Sequence, residues 1–201
     1  SFLLVLSSGF RPMLNEIKAI FSQDFPSVQE EFLIYDDFKS VIAPFESLQS
    51  SYDSVFFAGP TIYRYVRTRV RQTTHWVTLP RSSNNILRAI TEAALRGIDI
   101  TRLSIDSYSD SAILEAYKEI GIPPEELRLQ ICNEMDDEQL LQKTLQHHLK
   151  HLRNGTASGC LTASTYVVNE LKKRNLTYVP VIPTLDTIRN AVSGAMQYHQ
   201  A

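Results

Sequence analysis

The chain has 201 residues, 43% of them hydrophobic, and 20 basic against 22 acidic side chains leave a formal charge of −2. That much apolar material builds one sizeable core or two small lobes, while the near-neutral balance supplies no pull toward nucleic acid or an anionic membrane. No run approaches the ~18 consecutive apolar residues that cross a bilayer, and Phe2 to Leu6 is too short for a signal-peptide core.

Apolar and β-branched runs alternate with amphipathic stretches about eight times, the pattern of βαβ units around a parallel sheet. Phe2 to Ser7 reads as the first strand; after Ser8-Gly9, residues Met13, Leu14, Ile17, Ile20 and Phe21 recur at helical spacing. Glu31 to Tyr35 is the second strand, followed by a helix from Asp37 through Leu48. Ser54 to Ala58 is the third, closed by Gly59-Pro60, with Pro60 suited to a helix's first turn because its missing N–H needs no partner there. The next helix carries Ile62, Tyr65 and Val66 and extends to Arg71.

His75 to Leu79 forms the fourth strand, and Ser82 or Ser83 caps the following helix, which Gly97 ends. Arg102 to Asp106 is the fifth strand, and its helix stops at Gly121 before Pro123-Pro124. Leu127 to Cys132 is the sixth, after which Asp136-Asp137-Glu138 opens a long helix, negative charge favouring the positive end of the helix dipole. Gly159 to Thr162 is the seventh strand and Tyr178 to Ile182 the eighth, with a last helix from Pro183-Thr184. The first three units repeat in layout as units five to seven. The expected class is therefore α/β with two Rossmann-like lobes of parallel sheet, residues 1–79 plus 184–201 forming one and 80–183 the other.

Ligands of open parallel sheets sit beyond the carboxyl ends of the strands, where loops enter helices. Here those ends read Ser7-Ser8-Gly9, Asp36-Asp37, Gly59-Pro60-Thr61, Pro80 to Ser83, Asp106 to Ser109, Asn133-Glu134, Thr162 to Thr165 and Pro183-Thr184. Short hydroxyl residues at such places also serve simply as N-caps.

Other features invite chemistry. Cys132 and Cys160, in no C-x-x-C or metal-like spacing, fit a reduced cytoplasmic protein. Two thiols facing each other across a cleft would serve a racemase, but these two belong to neighbouring strands of one lobe, and Cys160 in an apolar run reads as a small hydrophobe. His147, His148 and His151 form H-H-x-x-H, which lacks the glutamate of a zinc-protease motif and reads as a solvated helix face. Arg64, Arg67 and Arg71, among Tyr63 and Tyr65, form an exposed stripe that reads as a solvated face or a homodimer contact rather than a nucleic-acid surface. No phosphate loop, dinucleotide fingerprint or G-x-S-x-G elbow is present. No metal and no cofactor are expected.

The run F-L-L-V-L-S-S, the segment D-S-V-F-F-A-G-P-T-I-Y-R-Y-V, the segment H-W-V-T-L-P-R-S-S-N-N-I-L-R-A-I and the closing L-T-Y-V-P-V-I-P-T-L-D-T-I-R-N-A-V-S-G-A-M resemble, over nearly the whole chain, the N-terminal receptor domain of propionate-catabolism-type bacterial transcription activators. That resemblance implies a periplasmic-binding-protein-like, cytoplasmic sensor that closes on a small metabolite and signals to a linked output domain. Two turns depart from the family pattern: A-G-P-T replaces a glycine pair and T-A-S-T stands where glycines are usual, so the ligand's identity does not carry over.

The expected function is non-catalytic sensing of a small effector, with Ser8, Gly59, Thr61, Arg81, Ser82, Tyr108, Ser109, Thr162, Ser164 and Thr165 lining the pocket. Arg81 would grip an anionic group through paired hydrogen bonds, or else stand as an exposed hinge residue. Ser1 enters an apolar strand with no initiator Met, so an excised fragment is expected, with DNA contacted only through a domain outside this chain. The alternatives are a two-lobed racemase- or lyase-like enzyme on a small acid, with Cys160 or Asp106 as base, or a dimerisation module without ligand.

Overall fold

In the first strand successive side chains point to opposite faces, yet Phe2, Leu3, Leu4, Val5 and Leu6 are all buried. A parallel strand covered by helices on both faces has that requirement. The computed structural model describes residues 1–133 and 138–201. Among them, strands and helices alternate as β1 (Phe2–Ser7), α1 (Leu14–Asp24), β2 (Glu30–Tyr35), α2 (Lys39–Leu48), β3 (Ser54–Phe57), α3 (Pro60–Arg67), β4 (His75–Thr78), α4 (Ser83–Leu95), β5 (Leu103–Asp106), α5 (Asp110–Glu119), β6 (Gln130–Cys132), α6 (Glu138–Arg153), β7 (Gly159–Thr162), α7 (Thr165–Lys173), β8 (Tyr178–Pro180) and α8 (Leu185–Gln200). The chain is α/β, with two four-stranded parallel sheets in the orders β2-β1-β3-β4 and β6-β5-β7-β8.

Two compact units contain these sheets: Ser1–Pro80 with Pro183–Ala201, and Arg81–Ile182. In unit 1, Leu3, Val5, Val55 and Phe57 meet Val41 and Phe45 of α2 and Ile62 and Val66 of α3. Phe45, Phe57 and Trp76 pack edge to face at 5.4 Å, a favoured arrangement for ring quadrupoles. The Trp76 indole N–H donates to Oε1 of the buried Gln49, whose Nε2 donates to the Arg71 carbonyl at 2.8 Å, so no polar atom of this cluster is left unpaired. On the other face α8 returns to unit 1, burying Ile188, Val192 and Ala195, and its Arg189 bridges to Asp24 of α1 at 2.7 Å.

In unit 2, Leu103 and Ile105 of β5 join Ile86, Ala89 and Ile90 of α4 and Ile113, Ala116 and Tyr117 of α5. The opposite face buries Leu145 and Leu149 of α6 with Cys160, Val167 and Leu171. Gly97 and Gly121 end α4 and α5 at φ +74° and +76°, as their sequence positions require.

Several boundaries differ from the sequence reading. The helix of the arginine stripe stops at Arg67 with Thr68 as its C-cap, and the Arg69 N–H tightens the exit by donating to the Val66 carbonyl three residues back, so Arg71 lies off that helix. The sixth strand begins at Gln130, since Pro124–Glu126 takes a 3-10 turn, and the eighth ends at Pro180. Glu134, Asp136 and Asp137, read as a strand end and a helix start, lie outside the described residues.

Truncation of Phe57 to alanine should lower stability by about 3–5 kcal/mol, measured by urea unfolding followed by circular dichroism. Leu95→Ala, at a position 85% exposed, should change it by less than about 0.5 kcal/mol.

Candidate functional site

Strand order fixes where each sheet can open. The connections leave β1 and β3 in one sheet, and β5 and β7 in the other, toward opposite sides, which separates the loops at the carboxyl ends of those strand pairs. At this point in unit 1 stand Ser8, at the start of a 3-10 turn, Gly59, the N-cap of α3 in extended backbone, and Thr61 of α3. In unit 2 it brings together Tyr108, Ser109, Thr162, Ser164 and Thr165.

Asp106 organises the unit 2 edge. It ends β5 with its side chain fully buried, a costly place for a charge unless donors surround it. They do: its Oδ1 accepts the Ala163 N–H at 3.1 Å and the Ser107 hydroxyl at 2.5 Å, and its Oδ2 meets His148 Nε2 at 2.8 Å. Burial alone would raise the carboxyl pKa, but the hydrogen bond and charge of His148, with the hydroxyls of Ser107 and Thr162, hold it below the usual carboxylate value. Thr162 Oγ1 in turn accepts the Ser164 N–H at 3.1 Å, and Ser164 Oγ caps α7 by accepting the Val167 N–H at 3.3 Å. The β7–α7 turn is thus clasped by side chains, with Thr162, fully buried, as its internal brace.

Ser107 adopts φ +69°, a left-handed conformation disfavoured for a non-glycine residue by on the order of 1 kcal/mol or more. Beyond it Tyr108 is buried, its hydroxyl accepting from the Asn85 amide at 3.2 Å. Burial pushes the phenol up to about 12, against opposing contributions from Asn85 and the Arg81 charge. Arg81 and Ser82 therefore belong to the same neighbourhood, through Asn85 of α4 and Tyr108. Ser82 occupies the N-cap position of α4 but makes no cap bond, and its buried Oγ has no hydrogen-bond partner among the described residues. Ser109, by contrast, caps α5 by accepting the Ala112 N–H at 3.2 Å.

The two candidate bases read from the sequence, Cys160 and Asp106, are both buried. Cys160 is buried, and burial together with the Asp106 charge raises its thiol well above the ordinary value, so it is no nucleophile. Cys132 and Cys160 do not lie on adjacent strands as read from the sequence: β5 separates them, because spatial order departs from chain order. Ser104, His148 and Asp106 have the composition of a hydrolytic triad, with Ser104 Oγ 2.6 Å from His148 Nδ1, but all three are fully buried and form a brace between β5 and α6.

His148 also corrects the solvated reading of H-H-x-x-H. It shares the inward face of α6 with buried Thr144, Leu145 and Leu149, a helical spacing that the histidine run obscured. His147 Nε2 lies 3.2 Å from the Gln130 carbonyl and His151 Nδ1 lies 2.7 Å from Thr156 Oγ1. Among the described residues no group of three or more His, Cys, Asp or Glu side chains could hold a metal ion.

The fold has a solved counterpart. An NtrC family transcriptional regulator from Clostridium acetobutylicum superposes with a TM-score of 0.67 at 14% identity, covering 98% of this chain and 95% of that one. A LacI family transcription regulator from the same organism gives 0.43 at 11% identity over 99% and 92% of the two chains. An aspartate racemase homologue from Pyrococcus horikoshii OT3 gives 0.32 at 12% over 98% and 99%. No protein-family model and no curated protein sequence matches the chain.

Replacing Asp106 by alanine strips partners from His148 and two hydroxyls and should cost about 3–5 kcal/mol in denaturant unfolding. The native carboxyl titrates below its ordinary value of 3.8, so its stabilisation is present above that value and is lost as pH falls through the lower native one. Wild-type stability should accordingly fall more steeply below about pH 4 than that of Asp106→Asn. In a thiol-reagent assay Cys132 should react in the native protein and Cys160 only after denaturation.

Proposed function

We propose that this chain is the effector-sensing part of a transcription regulator, binding a small anionic metabolite at the carboxyl edge of the unit 2 sheet without catalysing its conversion. The observation that carries this reading is the composition of that edge. A buried Ser82 hydroxyl lacks a partner there, Arg81 supplies positive charge near Tyr108, and the Asp106 clasp fixes the start of α7. Such a helix start presents N–H groups that favour an anion. The likeness in fold to a transcriptional regulator supports the assignment of class.

Units Ser1–Pro80 with Pro183–Ala201 and Arg81–Ile182 act, in this reading, as the two lobes of one sensor, and Ser8, Gly59 and Thr61 offer the equivalent edge in unit 1. Effector binding transmits a signal only through the difference in its affinity for two conformations of the protein. Contact with DNA falls to a domain outside this chain, and the regulator works in the cytoplasm. Among the described residues no helix is long and apolar enough to cross a membrane. The racemase- or lyase-like alternative has no support from Cys160 or Asp106, both buried and engaged in the fold.

A thermal-shift screen against small organic acids, sugar phosphates and nucleotides tests the proposal. A true effector at about a hundred times its Kd should add about 2.7 kcal/mol of stability. Arg81→Ala should then weaken its binding at least about tenfold, the loss of a charge-assisted hydrogen bond. Absence of stabilisation by every anionic compound would overturn the assignment.

A further inference from the structure

The amino edge of the unit 1 sheet holds a cluster of titratable groups with no part in the candidate site. Phe2, Ser54 and His75, the first residues of β1, β3 and β4, are register partners and form one row across the sheet. The last turn of α8 lies on that row. Ser54 Oγ is fully buried and stands 2.9 Å from His75 Nδ1 and 2.8 Å from His199 Nε2. The Tyr198 ring stacks on His75 at 4.0 Å with an interplanar angle of 10°, and His199 packs 6.2 Å from Phe2.

We propose that this row is a pH-operated latch for the carboxyl end of α8, closed while the two imidazoles carry at most one extra proton between them and open when both are cationic. The reason is the single hydrogen of the Ser54 hydroxyl. With both rings neutral, Ser54 donates to one facing nitrogen and accepts from the N–H of the other; because the facing atoms are Nδ1 of His75 and Nε2 of His199, the two rings then hold the same tautomer. A first proton enters on the far nitrogen of the ring that already donates, and both bonds survive. A second proton has only one place to go, the nitrogen to which Ser54 donates. Its arrival breaks that bond, leaves the buried hydroxyl hydrogen without an imidazole acceptor, and sets two cations with ring centroids 5.6 Å apart.

Asp53 is the carboxylate whose charge reaches His199, and among the described residues its side chain makes no hydrogen bond to either ring. Burial, and then the charge of His199, hold the His75 pKa below its ordinary 6.5. With the native value below the unfolded one, the latch's stabilisation is complete above 6.5 and is lost as pH falls through the native value. Ile188, Val192 and Ala195 remain buried farther up α8, so opening frees the last turn and leaves the unit folded.

The test uses the 201-residue chain and proton NMR of its five histidines, with amide hydrogen exchange corrected for intrinsic rates. As pH falls from about 7.5 through the His75 titration followed by NMR, protection at Tyr198, His199 and Gln200 should fall about tenfold or more while that at Ile188 and Val192 holds. His199→Gln keeps a polar partner for Ser54 but takes no proton; it should retain that protection at the lower pH and move the His75 titration up toward 6.5. Unchanged wild-type protection at the end of α8 across this range would overturn the proposal, and so would loss of protection in His199→Gln matching that of wild type.

Discussion

A carboxylate buried at the end of a strand constrains everything around it. Asp106 cannot remain ionised without donors, and the donors come from three separate parts of unit 2: His148 on α6, the Ala163 amide after β7, and the neighbouring Ser107 and Thr162 hydroxyls. Satisfying one charge therefore fixes a helix against the sheet and sets the geometry of the turn that opens α7. A rigid turn with its capping bonds already made is what a binding edge requires, because a ligand then need not order it on arrival.

Comparison of the two units sharpens the point. The Leu79 amide donates to the Phe57 carbonyl as the Val181 amide does to that of Thr162, and Gly59 and Ser164 are the N-caps that follow, so Phe57 stands in unit 1 where Thr162 stands in unit 2, and Ala58 where Ala163 stands. In unit 1 the turn after β3 is held by a backbone bond, from the Ala58 amide to the Val5 carbonyl at 3.0 Å, whereas in unit 2 the Ala163 amide donates to the Asp106 carboxylate at 3.1 Å. The same strand order thus carries a backbone support at this turn in one unit and an ionic one in the other. The left-handed Ser107, the buried Tyr108 and the partnerless Ser82 hydroxyl all belong to the unit with the ionic support.

The alternation of apolar runs with amphipathic stretches, punctuated by Gly97, Gly121 and Pro60, made the α/β class and the element order legible, because those signals are local. Sheet order is not local, which is why Cys132 and Cys160 looked adjacent when β5 lies between them. His148 was hidden for a different reason: in a run of three histidines its polarity drew attention away from its spacing with Leu145 and Leu149, which puts it in the core. The hydroxyls at the strand ends were visible as a group. Their separate duties, Ser109 and Ser164 as caps and Thr162 as a buried brace, depend on partners far away in the chain.

The proposed sensor receives a small anionic effector at the carboxyl edge of the unit 2 sheet. Amide chemical shifts of the isotopically labelled chain, recorded during titration with a stabilising organic acid from the thermal screen, test this most directly. Binding there predicts saturable shifts concentrated at Ser82, Ser109 and the Ala163–Ser164–Thr165 turn. Saturable shifts that leave those amides unmoved while others respond would contradict it.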